Sequence, residues 1–103
     1  MSAQMSLDIV RLTINDSPVP IADFVQIYIK SVVTGMLSTL KGVDEIRSVD
    51  LSFNGYEVII YVNNAIVPSN YFVNEFVRNT VIGMVTSLKG VNQVDKLVIS
   101  IAD

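Results

Sequence analysis

The segments Leu40-Lys41-Gly42-Val43 and Leu88-Lys89-Gly90-Val91 are identical and lie 48 positions apart. Outward from this match, residues 7–54 align with residues 55–102, and 14 of the 48 aligned pairs are identical. A segment of this length that occurs twice is one supersecondary unit used twice. A chain of 103 residues also has the size of one domain. We therefore expect a single domain over residues 1–103, built from two copies.

Each copy has the pattern of a strand, a helix and a strand. Alternating apolar residues predict four half-buried strands, at residues 7–15, 46–53, 56–63 and 94–101. Between the strands of each copy, apolar residues recur every three or four positions, which predicts an amphipathic helix of about 21 residues. The predicted core-facing stripes include Phe24, Tyr28, Phe72 and Phe76. Pro20 and Pro68 suit a first helical turn, and the two Lys-Gly pairs are typical of helix ends.

The connection between the copies predicts how they join. Asn54-Gly55 is a strong hairpin signal, so the last strand of the first copy should pair with the first strand of the second. The element order is then βαββαβ, and right-handed crossovers with short connections favour one topology. We expect an α+β sandwich of the ferredoxin-like type. Its four-stranded antiparallel sheet has the order 4-1-3-2, with two helices on one face.

Composition narrows the classes of function. Half of the residues are hydrophobic and only 17% are charged, against about 25% in an average globular protein. Part of the surface is therefore expected to be buried against another chain. The net charge of −3 argues against a nucleic-acid partner. Cysteine and histidine are absent, which argues against an enzyme and against a metal or other cofactor. The sequence contains no run of 18 apolar residues, so it predicts no membrane-spanning segment. We expect a cytoplasmic protein.

The uncovered face of the predicted sheet is the main candidate for an interface. Its expected apolar centre, with one arginine and one tyrosine, and its polar rim have the anatomy of a protein contact. Arg11 and Asp50 could pair across the third strand, which lies between them in the predicted order, or across a two-fold axis. The alternative is an ordinary solvated sheet face. The candidate interface residues are Ile9, Arg11, Thr13, Asp50, Glu57, Ile59, Tyr61 and Val98.

The two strand-to-helix loops are a second candidate site. In the predicted topology both loops emerge at one edge of the sheet, where they and the helix N-termini could hold a small anion or polar ligand. The candidate ligand residues are Asn15, Asp16, Ser17, Asn63 and Asn64. The same residue types are also those that turns and helix caps require.

A glycine stands in the middle of each predicted helix, Gly35 in the first copy and Gly83 in the second. Each costs about 1 kcal/mol relative to alanine. Keeping both indicates a close backbone approach, either between the two helices or at a contact between subunits. The alternative is a glycine that is merely tolerated.

Two families resemble parts of the chain. The passage from Val32 through residues 40–43 to residues 49–51 looks like the helix-to-strand passage of heavy-metal-associated domains. That family binds metal through a Cys-x-x-Cys motif, which this chain lacks, so its metal function does not carry over. The second half is similar to the C-terminal half of the alkaline-shock protein family. The residues that carry this similarity are Val58 to Val62, Pro68, Val77, Val81, Leu88, Gly90, Val94, Ile99 and Ile101.

The alkaline-shock resemblance implies a small, acidic, non-catalytic cytoplasmic protein that self-associates and works through partner proteins. No functional residues transfer from either family. Together with the composition, the alkaline-shock resemblance predicts a non-enzymatic interaction module. This module should form a dimer or larger homo-oligomer, and it could also bind another protein. The alternative is a small-ligand-binding or sensor module that uses the two strand-to-helix loops.

Overall fold

The computed structural model describes residues 9–102, and within them the duplication is complete. Each copy contains a long strand, a very short strand, a helix and a final strand. The first copy comprises β1 (Ile9–Ile14), β2 (Ser17–Val19), α1 (Asp23–Leu37) and β3 (Val49–Asn54). The second comprises β4 (Glu57–Val62), β5 (Ala65–Ile66), α2 (Tyr71–Val85) and β6 (Lys96–Ala102). The protein is thus α+β, while the predicted start of the first strand at Leu7 lies outside the described residues.

All six strands form one antiparallel sheet in the order β2-β1-β6-β3-β4-β5. The prediction of a ferredoxin-like sandwich, with four strands in the order 4-1-3-2, is therefore wrong. Two of its pairings are present, since β1 pairs with β6 and β3 pairs with β4 through the hairpin at Gly55. The central pairing differs. It joins β3 to β6, the last strands of the two copies, instead of joining β1 to β4.

Two-residue turns explain the different strand order. Asn15-Asp16 and Asn63-Asn64 have φ of 51°, 69°, 54° and 66°, so both central residues of each turn are in the left-handed region. Such turns match the twist of paired strands and fold the chain back on itself. As a result, β2 fills the outer edge of β1, and β5 fills the outer edge of β4. Neither long strand has an edge left for the other, so the free edges of β3 and β6 meet.

The strand registers obey an approximate two-fold symmetry. Leu51 lies opposite Ile99 at the centre of the β3–β6 pair, and these residues are equivalents at the 48-residue offset. Likewise, Ile9 lies opposite Ala102 as Glu57 lies opposite Asn54. The first strand of each copy therefore pairs with the last strand of the other copy.

Each helix has 15 residues and is shorter than the sequence predicts. After each helix, side chains of a Ser/Thr pair hydrogen-bond to carbonyl oxygens of the last turns, at 2.8 and 2.7 Å for Ser38 and Thr39. Thr86 and Ser87 do the same in the second copy, at 2.8 and 3.2 Å. Such back-bonding competes with continued helix. The chain then turns at Gly42 and Gly90, whose φ of 88° and 87° confirms that these positions need glycine.

The helices cover one face of the sheet, and the core between the two layers is almost entirely aliphatic. No polar or charged residue of the described range is buried, and Phe53 is the one aromatic residue among those that are. The core residues are Val10, Leu12, Ile14, Ile29, Val33, Leu37, Val49, Leu51, Phe53, Ile60, Val62, Val77, Val81, Val85, Leu97, Ile99 and Ile101. Each helix contributes three of them, spaced four residues apart.

The outer edges of the sheet are short. β2 has three residues, including Pro18, and β5 has two residues, with Pro68 following soon after. Proline has no N–H to donate to a neighbouring strand. The sheet therefore presents little backbone for a further strand, and its large surfaces are the open sheet face and the outer side of the helices.

The two-fold symmetry predicts that a circular permutant folds. In this variant, Glu57 is the first residue, a Gly-Tyr link copied from residues 55–56 joins Ala102 to Ile9, and Asn54 is the last residue. We expect native far-UV circular dichroism and cooperative unfolding in urea, because the new link spans the same strand register as the old one. A control permutant opened between Leu51 and Ser52 should lose cooperative unfolding. Failure of the first variant would contradict the symmetry.

Candidate functional site

The structure places all eight predicted interface residues on the open sheet face, but their arrangement differs from the prediction. Because β3 and β6 are the central strands, the middle of this face carries Asp50, Ser52, Val98 and Ser100. The residues of β1 and β4 flank this middle strip. The expected apolar centre with a polar rim is therefore wrong, since three of the four central side chains are polar.

Arg11 and Asp50 do not pair within one molecule. Both lie opposite Ser100, on either side of β6, so two strand spacings of about 4.8 Å separate them. The ion pairs among the described residues are Arg47–Glu45 at 3.6 Å and Lys96–Asp16 at 3.5 Å, both well exposed. Pairing of Arg11 with Asp50 across a two-fold axis stays a prediction.

Four apolar residues of the sheet face are only moderately exposed, while Ile66, which lies opposite Tyr61 at the sheet edge, is 63% exposed. Ile9, Ile59, Tyr61 and Val98 have between 37% and 42% of their surface accessible, because neighbouring side chains cover the rest. Four charged residues, Arg11, Asp50, Glu57 and Lys96, share this face. These features are typical of a solvated antiparallel sheet.

The two predicted ligand loops lie at opposite ends of the sheet. β1 is antiparallel to β6, β6 to β3, and β3 to β4, so β1 and β4 run in opposite directions. The turn after β1, with Asn15, Asp16 and Ser17, is therefore far from the turn with Asn63 and Asn64 after β4. The expectation that these residues form one site is wrong.

Asn15 and Asn63 instead connect the two copies. The Asn15 Nδ2 donates to the carbonyl oxygen of Gln93 at 2.9 Å, and its Oδ1 accepts from the N–H groups of Asp95 and Lys96 at 2.8 and 2.9 Å. At the other end, the Asn63 Nδ2 donates to the carbonyl oxygen of Glu45 at 2.6 Å. Its Oδ1 accepts from the N–H groups of residues 47 and 48 at 2.6 and 3.0 Å. Each amide thus holds the other copy's last strand.

A groove of about 630 Å³ lies beside the second turn and is lined by charges of both signs. Lys41 and Arg47 face Asp44 and Glu45 there, and Glu45 pairs with Arg47. The mixed charges favour no ligand of one sign. No group of carboxylate, histidine or cysteine ligands that could hold a metal is found within residues 9–102.

Most of the strongly exposed aromatic side chains belong to the two helices. Seven of the eight aromatic residues of the chain are exposed, and five of the seven belong to α1 or α2. These five, Phe24, Tyr28, Tyr71, Phe72 and Phe76, have between 54% and 79% of their surface accessible. This is above the exposure of Ile9, Ile59, Tyr61 and Val98 on the sheet face. The outer helix surface is therefore the stronger candidate for an interface.

The prediction that Phe24, Tyr28, Phe72 and Phe76 face the sheet is wrong. Phe24 is nine residues from the buried Val33, and nine residues at about 100° each place it on the opposite side of the helix. The sequence analysis missed this because apolar residues cover most of each helix circumference. The sequence does contain one signal. Both copies have an aromatic residue at each of these two helix positions, whereas the core itself is aliphatic.

An apolar groove of about 630 Å³ runs between the two helices. Phe24, Ile27 and Tyr28 line it from α1, and Met84 and Leu88 line it from the end of α2. The N-terminal half of α1 therefore lies beside the C-terminal end of α2. In the second copy the equivalent rings, Phe72 and Phe76, stack in parallel with centroids 6.2 Å apart.

Gly35 and Gly83 also lie on the outer side of the helices. A Cβ atom added to either glycine would meet no atom within 4 Å. The expected close approach between the two helices is therefore wrong. A contact between subunits at these positions stays a prediction.

Comparison of this chain with family models, curated proteins and solved structures gives no match. The resemblances to the alkaline-shock family and to heavy-metal-associated domains stay predictions. Across residues 9–102, neither helix is long and apolar enough to span a membrane.

Replacing Asn15 should destabilise the fold in two separable ways. Asn15→Gly keeps the left-handed turn but removes three hydrogen bonds, and we expect a loss of about 1–2 kcal/mol in urea unfolding. Asn15→Ala should lose about 1 kcal/mol more, because alanine is strained at positive φ. Asn63 variants should behave alike. Asn92→Ala, outside both turns, is the control and should unfold like the unmodified protein.

Gly35→Ala and Gly83→Ala should each raise the unfolding free energy by about 0.5–1 kcal/mol, because alanine favours helix and its Cβ meets open space. Chemical denaturation at low protein concentration measures this. Gly42→Ala is the contrasting variant and should destabilise, since Gly42 has positive φ. A loss of stability at Gly35 would mean that the backbone there is less accessible than described.

Proposed function

We propose that this protein is a small, non-enzymatic, cytoplasmic module that self-associates and acts through protein contacts. The observation that carries this proposal is the placement of its aromatic residues. Seven of eight are exposed while the core is filled by aliphatic side chains. Aromatic residues contribute most to protein interfaces, and exposed apolar patches of this kind mark interaction sites.

The exposed aromatic area is of the size that a stable interface needs. Five helix aromatics, each exposed by more than half, present roughly 600 Å² if one aromatic side chain has about 200 Å² of surface. A standard interface buries about 800 Å² per partner. The helix aromatics and their immediate neighbours can supply this area.

The low charge of the two helices is compatible with an interface at the same surface. Each helix has two charged residues among 15, one acidic and one basic: Asp23 with Lys30, and Glu75 with Arg78. Depletion of charge together with aromatic enrichment is the compositional signature of an interface core. The open sheet face has the same number of charged residues but less exposed apolar surface, so it is the weaker candidate.

The non-enzymatic part of the proposal has support from residue types. The sequence has no histidine, the commonest general base, and no cysteine, the residue that supplies a thiol nucleophile. The lack of cysteine also suits a reducing compartment such as the cytoplasm. The ligand-binding alternative depends on two adjacent loops, and their separation removes its geometric basis.

The native mass tests the proposal. Light scattering coupled to size exclusion, over a dilution series, should give a mass above that of one chain at high concentration. The melting temperature should also rise with protein concentration without any added ligand, since association stabilises the folded state by mass action. A single-chain mass and a constant melting temperature across the series would refute self-association.

A further inference from the structure

We infer that the outer helix surface is a self-complementary dimer interface, in which aromatic side chains of one copy sit on glycine-centred seats of a second copy. The aromatic knobs are Phe24 and Tyr28 on α1 and Phe72 and Phe76 on α2. The seats are the helix segments around Gly35 and Gly83. This inference rests on the proposed self-association and adds the surface, the partner and the mode of contact.

Each helix carries the same outward line of side chains. Along α1 and its C-cap it contains Phe24, Tyr28, Ser31, Gly35 and Ser38, which are spaced by four, three, four and three residues and so stay on one side. All five are exposed. The first half of the line is bulky and aromatic, and the second half is small and centred on glycine.

The second copy repeats this line on α2. Its residues are Phe72, Phe76, Asn79, Gly83 and Thr86, and all of them are exposed. The phenylalanine and the glycine are identical in both copies. Neither belongs to the buried core, because Phe24 and Phe72 are at least 72% exposed and a Cβ on either glycine would meet nothing. A role in contact with another molecule accounts for both.

The helix arrangement makes the surface complementary to itself. The aromatic half of α1 lies beside the C-terminal end of α2, as the lining of the groove between them shows. The approximate two-fold symmetry places the aromatic half of α2 beside the end of α1. Knobs and seats therefore alternate at the four corners of the layer. A second copy can be rotated by a half-turn about an axis that lies in the plane of the layer and runs along the helices. Each of its knobs then lies over a seat of the first copy, and the two-fold contact closes the dimer.

A second copy fits this surface better than a charged partner does. The two helices carry two acidic and two basic residues, so the layer is neutral although the chain has a net charge of −3. Two copies can approach through these layers without charge repulsion. The layer also lacks the cluster of basic residues that anionic lipid or nucleic acid would require.

Paired double variants test the two halves of the contact. Phe24→Ser with Phe72→Ser removes two knobs, and Gly35→Gln with Gly83→Gln fills two seats with a helix-compatible side chain. Each should raise the dimer dissociation constant at least about thirtyfold, the effect of one hot-spot residue. Sedimentation velocity over a dilution series measures this. Both should keep native circular dichroism and cooperative unfolding, since the replaced positions face outward.

Tyr61→Ser is the matched control, because it removes an aromatic ring from the open sheet face instead of the helix layer. It should leave the dissociation constant within about twofold, below the threshold for a hot spot. If Tyr61→Ser dissociates the dimer and the helix variants do not, the inference is overturned while self-association stands. If the unmodified protein is monomeric at every concentration, both are overturned.

A fluorescent reporter gives an independent readout. The chain has no tryptophan, so Phe24→Trp introduces a single one at a knob position. Its emission should shift to the blue as the concentration rises and return on dilution. An emission that stays red in the dimer would place the contact elsewhere. A blue shift that needs neutral phosphatidylcholine vesicles, in a protein that stays monomeric, would assign the surface to lipid and overturn the inference.

Discussion

A β-strand has two edges, and the turns at Asn15 and Asn63 fill one edge of the first strand in each copy. The remaining edge of each such strand is taken by the last strand of the opposite copy. The two last strands then have one free edge each, and they pair with Leu51 opposite Ile99. The six-stranded order and its approximate symmetry follow from these two asparagine turns, whose amides also bind the backbone of the other copy.

This strand order decides which side chains each surface of the molecule presents. Placing β3 and β6 in the middle moves Asp50, Ser52 and Ser100 to the centre of the open face, which weakens that face as an apolar contact. Three buried residues on each helix, with partly buried aliphatic neighbours, cover the core. The aromatic residues then remain on the outside, where they give the helix layer the larger exposed apolar area.

Much of the architecture can be predicted from the sequence, and the failures have identifiable causes. Periodicity predicts the four long strands, the two helices and the residues on each sheet face. The internal repeat shows the duplication, and the Asn54-Gly55 motif predicts the hairpin. The strands β2 and β5 do not, because two or three residues are too few to show a period and Pro18 resembles a loop residue. The rotation of the helices also escapes prediction, since Phe24 and Val33 are both apolar although they face opposite sides. For the candidate site, the sequence predicts self-association and favours the sheet face, with a contact between subunits at the helix glycines Gly35 and Gly83 as an alternative.

The short proline-flanked edges have a consequence for how the protein behaves at high concentration. Long, regular edge strands template the stacking of chains into fibrils, and natural proteins avoid this with short strands and proline. Here Pro18 interrupts one edge, and the opposite edge is two residues long. Although half of the residues of the chain are hydrophobic, its sheet therefore offers little edge backbone on which amyloid-like stacking could begin.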